Sequence, residues 1–124
     1  EMIRDGDILA VSQKIVSKAE GRWRALDPVI PSGEALTLAD RTGKDARLVE
    51  LVLSESTAVL RSVPGVLIVR HRLGFVLANA GIDQSNIGDR DQPGALLLPE
   101  DPDASAAALR EALRTKTGTA PAVL

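Results

Sequence analysis

Residues 74–91 read GFVLANAGIDQSNIGDRD, and the change from apolar to polar inside this stretch organises the chain. Phe75 to Ala78 form an apolar run of strand type. From Asn79 to Asp91 the sequence turns polar, with carboxylates at Asp83, Asp89 and Asp91, a hydroxyl at Ser85 and an amide at Asn86. Gly81 and Gly88 permit tight or left-handed backbone there. A strand that empties into a glycine-punctuated loop of hard oxygen donors is one form that a metal–phosphate site takes. The same residues describe a polar turn whose Asp and Asn satisfy neighbouring backbone groups. Local pattern leaves both readings open.

Upstream, Val66 to Val69 form another strand-like run, joined to Phe75–Ala78 through the turn at Leu73-Gly74. The economical reading is a hairpin, with Arg70, His71 and Arg72 as a basic surface patch near its tip, able to meet an anionic substrate. Asp45 can cap a helix running to about Ser56, with Leu48, Val49 and Val52 as core positions and Arg47 and Glu50 facing solvent. Glu34 to Thr42 reads as a helix stopped by Gly43, and Arg22 to Leu26 as a short strand. Nearer the start, Ile8 to Val11 is an apolar run, and Ser12 stands where it can cap a helix through Gln13 to Glu20. Lys14 and Lys18 are four apart and share a face of that helix. A strand, a capping hydroxyl, a helix N-terminus and two lysines suit an anion; an ordinary amphipathic helix with a solvated lysine face has the same sequence. The P-loop spacing is absent.

Downstream, Ala95 to Leu98 is a short apolar run, Asp103 is a candidate cap for a helix over Ala104 to Lys116, and Ala120 to Leu124 reads as a strand. Strands and helices mixed in this order make the class α/β, an α+β mixed sheet with flanking helices.

Composition removes several functions. A net charge of −2 and 2% aromatic residues argue against a nucleic-acid surface. No apolar run is long enough for a membrane span and no signal peptide is visible, so a cytoplasmic protein is expected. With no cysteine and one histidine, thiolate and His-rich metal sites are excluded, so a metal must be held mainly by oxygen, which favours magnesium, manganese or calcium. An EF-hand loop beginning at Asp83 fails, because Ile87 and Gly94 fall at ligand positions. The opening Glu1-Met2 and the terminal strand-like run lead us to expect one partial domain over residues 1–124.

Four stretches together resemble a known family: DGDILAVSQKIVSKAEGR (Asp5–Arg22), GKDARLVELVLSES (Gly43–Ser56), GFVLANAGIDQSNIG (Gly74–Gly88) and LLLPEDPDASAAALREAL (Leu96–Leu113). They resemble the coenzyme F-420 gamma-glutamyl ligase family. The resemblance implies a gamma-glutamyl ligase-like α/β fold in an intertwined homodimer, and a GTP-dependent ligase that adds L-glutamate to a deazaflavin coenzyme precursor through an acyl phosphate. It implies magnesium or manganese, with potassium as a further candidate ion. On matching positions, Asp83 falls on a metal-binding aspartate, Asn86 on a GTP-contacting asparagine and Lys18 on a GTP-binding lysine. Gln13 lies where the family places a small hydroxyl residue against GTP, and neighbouring Ser12 can take that contact. No catalytic residue is assigned. The family's Gly-Leu-Pro segment would precede Glu1 and its Asp-Thr metal pair would follow Leu124, so these residues alone are expected not to turn over. The alternative is a non-catalytic, truncated structural or dimerisation module of the same family.

Overall fold

The computed structural model describes residues 2–84 and 92–124, and it is an α/β protein whose chain divides into two compact units. One comprises residues 1–22 and 98–124; the other is the continuous stretch 23–97.

The first unit is built from both ends of the sequence. Strand β1 (Ile8–Leu9) pairs in parallel with β7 (Ala122–Val123), in the register Ile8↔Ala122 and Leu9↔Val123. Helix α1 (Gln13–Ala19) follows β1, and helix α4 (Pro102–Thr117) precedes β7. The cap of α4 is Asp101, not Asp103: Asp101 Oδ1 accepts the Ala104 N–H at 3.0 Å. The physical reason is Pro102, whose fixed φ and missing N–H suit the first helical position and shift the start upstream. Gly118 closes α4 at φ +75°. No residue of α4 is fully buried, although Ala106, Leu109 and Leu113 lie half-buried along one side.

The second unit contains strand β2 (Trp23–Ala25), helices α2 (Gly33–Thr42) and α3 (Ala46–Ser54), strands β3 (Ser56–Val63), β4 (Val66–His71), β5 (Val76–Ala78) and β6 (Gly94–Leu96). Both helices start where cap chemistry directs: Ser32 Oγ accepts the Ala35 N–H, and Asp45 Oδ1 accepts the Arg47 N–H. Gly43, left-handed at φ +73°, ends α2. β4 and β5 form the expected antiparallel hairpin, and β3 adds a third strand across the Pro64-Gly65 turn. β3 was not expected from the sequence. Its pairing with β4 shifts register between Ser56 and Ala58 and again between Val59 and Arg61, which breaks the two-residue alternation that marks a strand.

Leu38, Val49, Val52, Leu67 and Val69 bury against Ala35 and Ala80 as the main core, and Leu26, Leu48 and Ala95 form a smaller one. Ile82 packs against both. Fully burying a Leu or Val side chain contributes about 1.5–3 kcal/mol, so these contacts outweigh any single polar interaction in the unit.

The basic patch expected at Arg70–Arg72 keeps its two exposed arginines but loses His71 to the interior. Arg70 is exposed, but His71 is 0% exposed, and Arg72 Nε donates to Glu55 Oε2 at 2.7 Å. His71 Nδ1 accepts the Leu73 N–H at 3.0 Å, which leaves Nε2 as the protonated nitrogen of the neutral ring, 3.6 Å from Glu55 Oε2. Strand alternation explains the correction: Leu67, Val69 and His71 all point inward from β4.

Candidate functional site

The residues singled out in the sequence fall in both units. Ser12, Gln13 and Lys18 belong to the first, and Asp83 to the second; Asn86 lies outside the described residues.

In the first unit, Ser12 occupies the N-cap position of α1 with extended backbone, but its side chain makes no capping hydrogen bond, contrary to expectation. Its carbonyl instead accepts the Ile15 N–H at 3.1 Å. Gln13, largely exposed, donates through Nε2 to Oγ of the fully buried Ser17 at 2.5 Å. This i, i+4 pair holds the Gln13 amide along the helix. Lys18 is exposed and stands in the last turn of this seven-residue helix. The dipole argument made for an anion at the helix start therefore does not extend to Lys18, whose ammonium sits at the end that favours a cation. Just beyond, the Arg22 N–H bonds the Ser17 carbonyl at 2.9 Å and Arg22 Nε donates to the Leu98 carbonyl at 2.8 Å. Glu20 Oε2 accepts the Ser105 hydroxyl at 2.6 Å. Glu20 and Arg22 of KAEGR thus join the two ends of the chain that make up this unit, a role the sequence reading missed.

In the second unit, Asp83 is half-buried and its backbone is clamped to β6. The Asp83 N–H bonds the Leu96 carbonyl at 3.0 Å, and the Leu96 N–H bonds the Asp83 carbonyl at 2.8 Å. Trp23 of β2 pairs with the same Leu96 from the other side. Residues directly opposite in antiparallel pairs share a sheet face, so Trp23, Leu96 and Asp83 form one row across three chain segments. Gly94, paired with Ala25 and on the same face as Leu96, makes room beside this row: a β-carbon there would lie 2.3 Å from Cζ2 of the Trp23 indole. The indole therefore lies against the β6 backbone on the face that carries Asp83.

The chain reaches Asp83 through an unusual turn. Asn79, Ala80 and Gly81 have φ of +52°, +53° and +68°, and the Ile82 N–H closes the turn on the Asn79 carbonyl at 3.0 Å. Left-handed backbone costs an L-residue roughly 1–2 kcal/mol, with Asn the more tolerant. Ala80 is 0% exposed in the core, so packing holds the turn in place. Asn79 Oδ1 is buried and has no hydrogen-bond donor among the described residues, which costs about 1–3 kcal/mol more. The signal for this turn was present in the sequence: Asn and Gly, the two residue types that tolerate left-handed backbone, bracket Ala80 in NAG.

Among the described residues no three His, Cys, Asp or Glu side chains gather to form a metal cage. A magnesium-type ion does not need one, since it is commonly held by one or two carboxylates together with substrate phosphates. The hard carboxylate of Asp83 fits that mode.

Comparison with known proteins agrees with the sequence resemblance. The family model described as F420-0:Gamma-glutamyl ligase matches residues 1–124. A coenzyme F420:L-glutamate ligase of Methanopyrus kandleri is 48% identical over 117 residues, covering 94% of this chain and 45% of the relative. The ligase of the same name from Methanothermobacter thermautotrophicus is 46% identical over 124 residues, 100% of this chain and 48% of the relative. That of Methanocaldococcus jannaschii is 39% identical over 116 residues, 94% and 45%. The chain spans about half the length of the curated relatives it matches.

Proposed function

The chain belongs to the F420-0:gamma-glutamyl ligase family, and on that premise we propose that it serves a ligase joining L-glutamate to the carboxylate end of a deazaflavin coenzyme precursor. The γ-phosphoryl group of GTP passes to the acceptor carboxylate, giving an acyl phosphate and GDP. The glutamate amine attacks the acyl carbon, the carbon–oxygen bond to phosphate breaks, inorganic phosphate leaves with that electron pair, and the nitrogen loses its proton. A bound magnesium or manganese supplies charge neutralisation on the phosphates during transfer.

Within this reading the chain's own residues bind and orient. Asp83 is the carboxylate that would hold the divalent cation, and its two backbone hydrogen bonds to Leu96 fix the main chain that carries it. Lys18, exposed at the end of α1, meets phosphate oxygens as a mobile point charge. Gln13 keeps its amide oxygen for the nucleotide while its nitrogen bonds Ser17, and the Ser12 hydroxyl, unused in capping, is a second nucleotide contact. Asn86 enters from the family resemblance. Potassium as a further ion, a homodimer and a cytoplasmic setting belong to the same reading; among the described residues no helix is long and apolar enough to cross a membrane.

The observation that carries the reading is the family match along all 124 residues, with Asp83 of the GIDQSN segment locked to β6 inside it. Titration calorimetry of the protein with GTP, with and without Mn2+, tests it. We expect binding that needs the metal and disappears in Asp83→Ala. Binding indifferent to Mn2+, or unaltered by Asp83→Ala, would sink the assignment of Asp83.

A further inference from the structure

The left-handed turn of Asn79, Ala80 and Gly81 concentrates two unfavourable features four residues before Asp83: non-glycine residues at positive φ, and a buried side-chain carbonyl with no donor among the described residues. Folding alone does not call for an asparagine there. Glycine would adopt the same φ without strain and would bury no amide. Ala80 fills the core from the neighbouring position. Strained, unsatisfied groups persist where function uses them, and the nearest chemistry-bearing group along the chain is Asp83. The turn also sets the path to that group, since its closing hydrogen bond to Ile82 is followed at once by the Asp83–Leu96 bridge.

We propose that Asn79 is a positioning residue of the Asp83 cation site: its Oδ1 would accept a hydrogen bond from a water bound to a divalent cation at Asp83, and the turn orients both groups. The inference rests on the reading of Asp83 as the cation's carboxylate. The chemistry is suitable, because a neutral amide oxygen is a hard acceptor that orders metal-bound water without adding charge. It also gives the strained turn a use, since a rigid link between acceptor and carboxylate keeps their spacing fixed as the cation enters.

The test is Mn2+ binding by water-proton relaxation, alongside urea unfolding, for the parent protein and for Asn79→Gly, Asn79→Asp and Asp83→Ala. Asn79→Gly keeps the left-handed turn and removes the acceptor; we expect an unfolding midpoint equal to or above the parent's, with the Mn2+ dissociation constant raised at least fivefold. Asn79→Asp retains an acceptor oxygen and tolerates the turn, and is expected to bind within about twofold of the parent or more tightly. Asp83→Ala should abolish binding. If Asp83→Ala abolishes binding while Asn79→Gly leaves it unchanged, only the role of Asn79 is overturned. If Mn2+ does not bind, or binds independently of Asp83, the assignment of Asp83 falls and the role of Asn79 with it. Failure of Asn79→Gly to fold would show a structural asparagine and equally overturn the inference.

Discussion

Replacing Gly94 by alanine should destabilise the protein through one side chain, the indole of Trp23. The β-carbon would lie 2.3 Å from Cζ2, 2.4 Å from Cε2 and 2.5 Å from Nε1. Unstrained carbon contacts lie at about 3.5–4.0 Å, so the overlap exceeds 1 Å and falls on the fused part of a rigid ring. The indole must move off β6 or the strands must part. Overpacking of this kind costs typically 1–3 kcal/mol. Alanine returns about 0.4–1 kcal/mol by narrowing the unfolded ensemble, because Gly94 is not at positive φ. The net expectation is a loss of about 1–2 kcal/mol, or roughly 0.5–1 M in urea midpoint for a domain of this size. Unfolding should be followed by far-ultraviolet circular dichroism, so that changes in indole emission do not distort the curve. In a Trp23→Leu background the clash is gone, and Gly94→Ala should become neutral or mildly stabilising. The double-mutant cycle should then show a coupling of at least about 1 kcal/mol. Equal stability of Gly94→Ala and the parent, or strict additivity in the cycle, would refute the packing argument.

Other outcomes follow from the same structure. Glu55→Gln removes the charge that accepts Arg72 Nε at 2.7 Å beside buried His71, and should cost about 1.5–3 kcal/mol in chemical denaturation. Asp101→Ala removes the cap of α4 and should lower stability by about 0.5–2 kcal/mol, with Asp101→Asn recovering most of the loss. The backbone hydrogen bond from Ser32 holds the Glu50 carboxyl below the ordinary glutamate value. Its contribution is therefore present above the unfolded value of about 4.3 and is lost as pH falls through the folded value. Glu50→Gln should be the less stable protein at neutral pH and should converge with the parent in acid, as read from urea midpoints across pH. Tb3+ bound at Asp83 would lie two strand spacings, about 10 Å, from the only tryptophan. Excitation of Trp23 should then sensitise terbium emission, and Asp83→Ala should silence it.

Much of this architecture is legible in the sequence because local chemistry and tertiary structure agree. Ser32, Asp45, Gly43 and Gly118 act as caps and stops where their residue types indicate, and Leu48, Val49 and Val52 are buried as their spacing requires. Disagreement has identifiable causes. β3 is hidden by two register shifts that erase its alternation. Asp101 displaces Asp103 as cap because Pro102 between them prefers the first helical position. His71 sits between two arginines in sequence, yet pleating sends it inward while Arg70 stays exposed. At the candidate site, Asp83 can be singled out from its Gly-Ile-Asp context, but its clamp on Leu96 is a long-range pairing that no local window contains. The Gln13–Ser17 hydrogen bond is within helical reach and could have been anticipated; the indole of Trp23 lying over Gly94 could not.

The pairing of Trp23 with Leu96 also bears on the order of folding. The unit spanning residues 23–97 is contiguous, whereas the other must bring residues 1–22 together with 98–124 before Ile8 can meet Ala122. In an unstructured chain the pairing of Ile8 with Ala122 would close a loop of roughly 110 residues. Because the first and last strands of the contiguous unit are neighbours, its prior folding delivers the two flanks already side by side. On a logarithmic loop-entropy scale, shortening that loop to the roughly 40 residues of the two flanks lowers the closure cost by about 1 kcal/mol. The central stretch thus acts as a template, and the parallel ladder between β1 and β7 forms late, as the step that locks both ends of the sequence together.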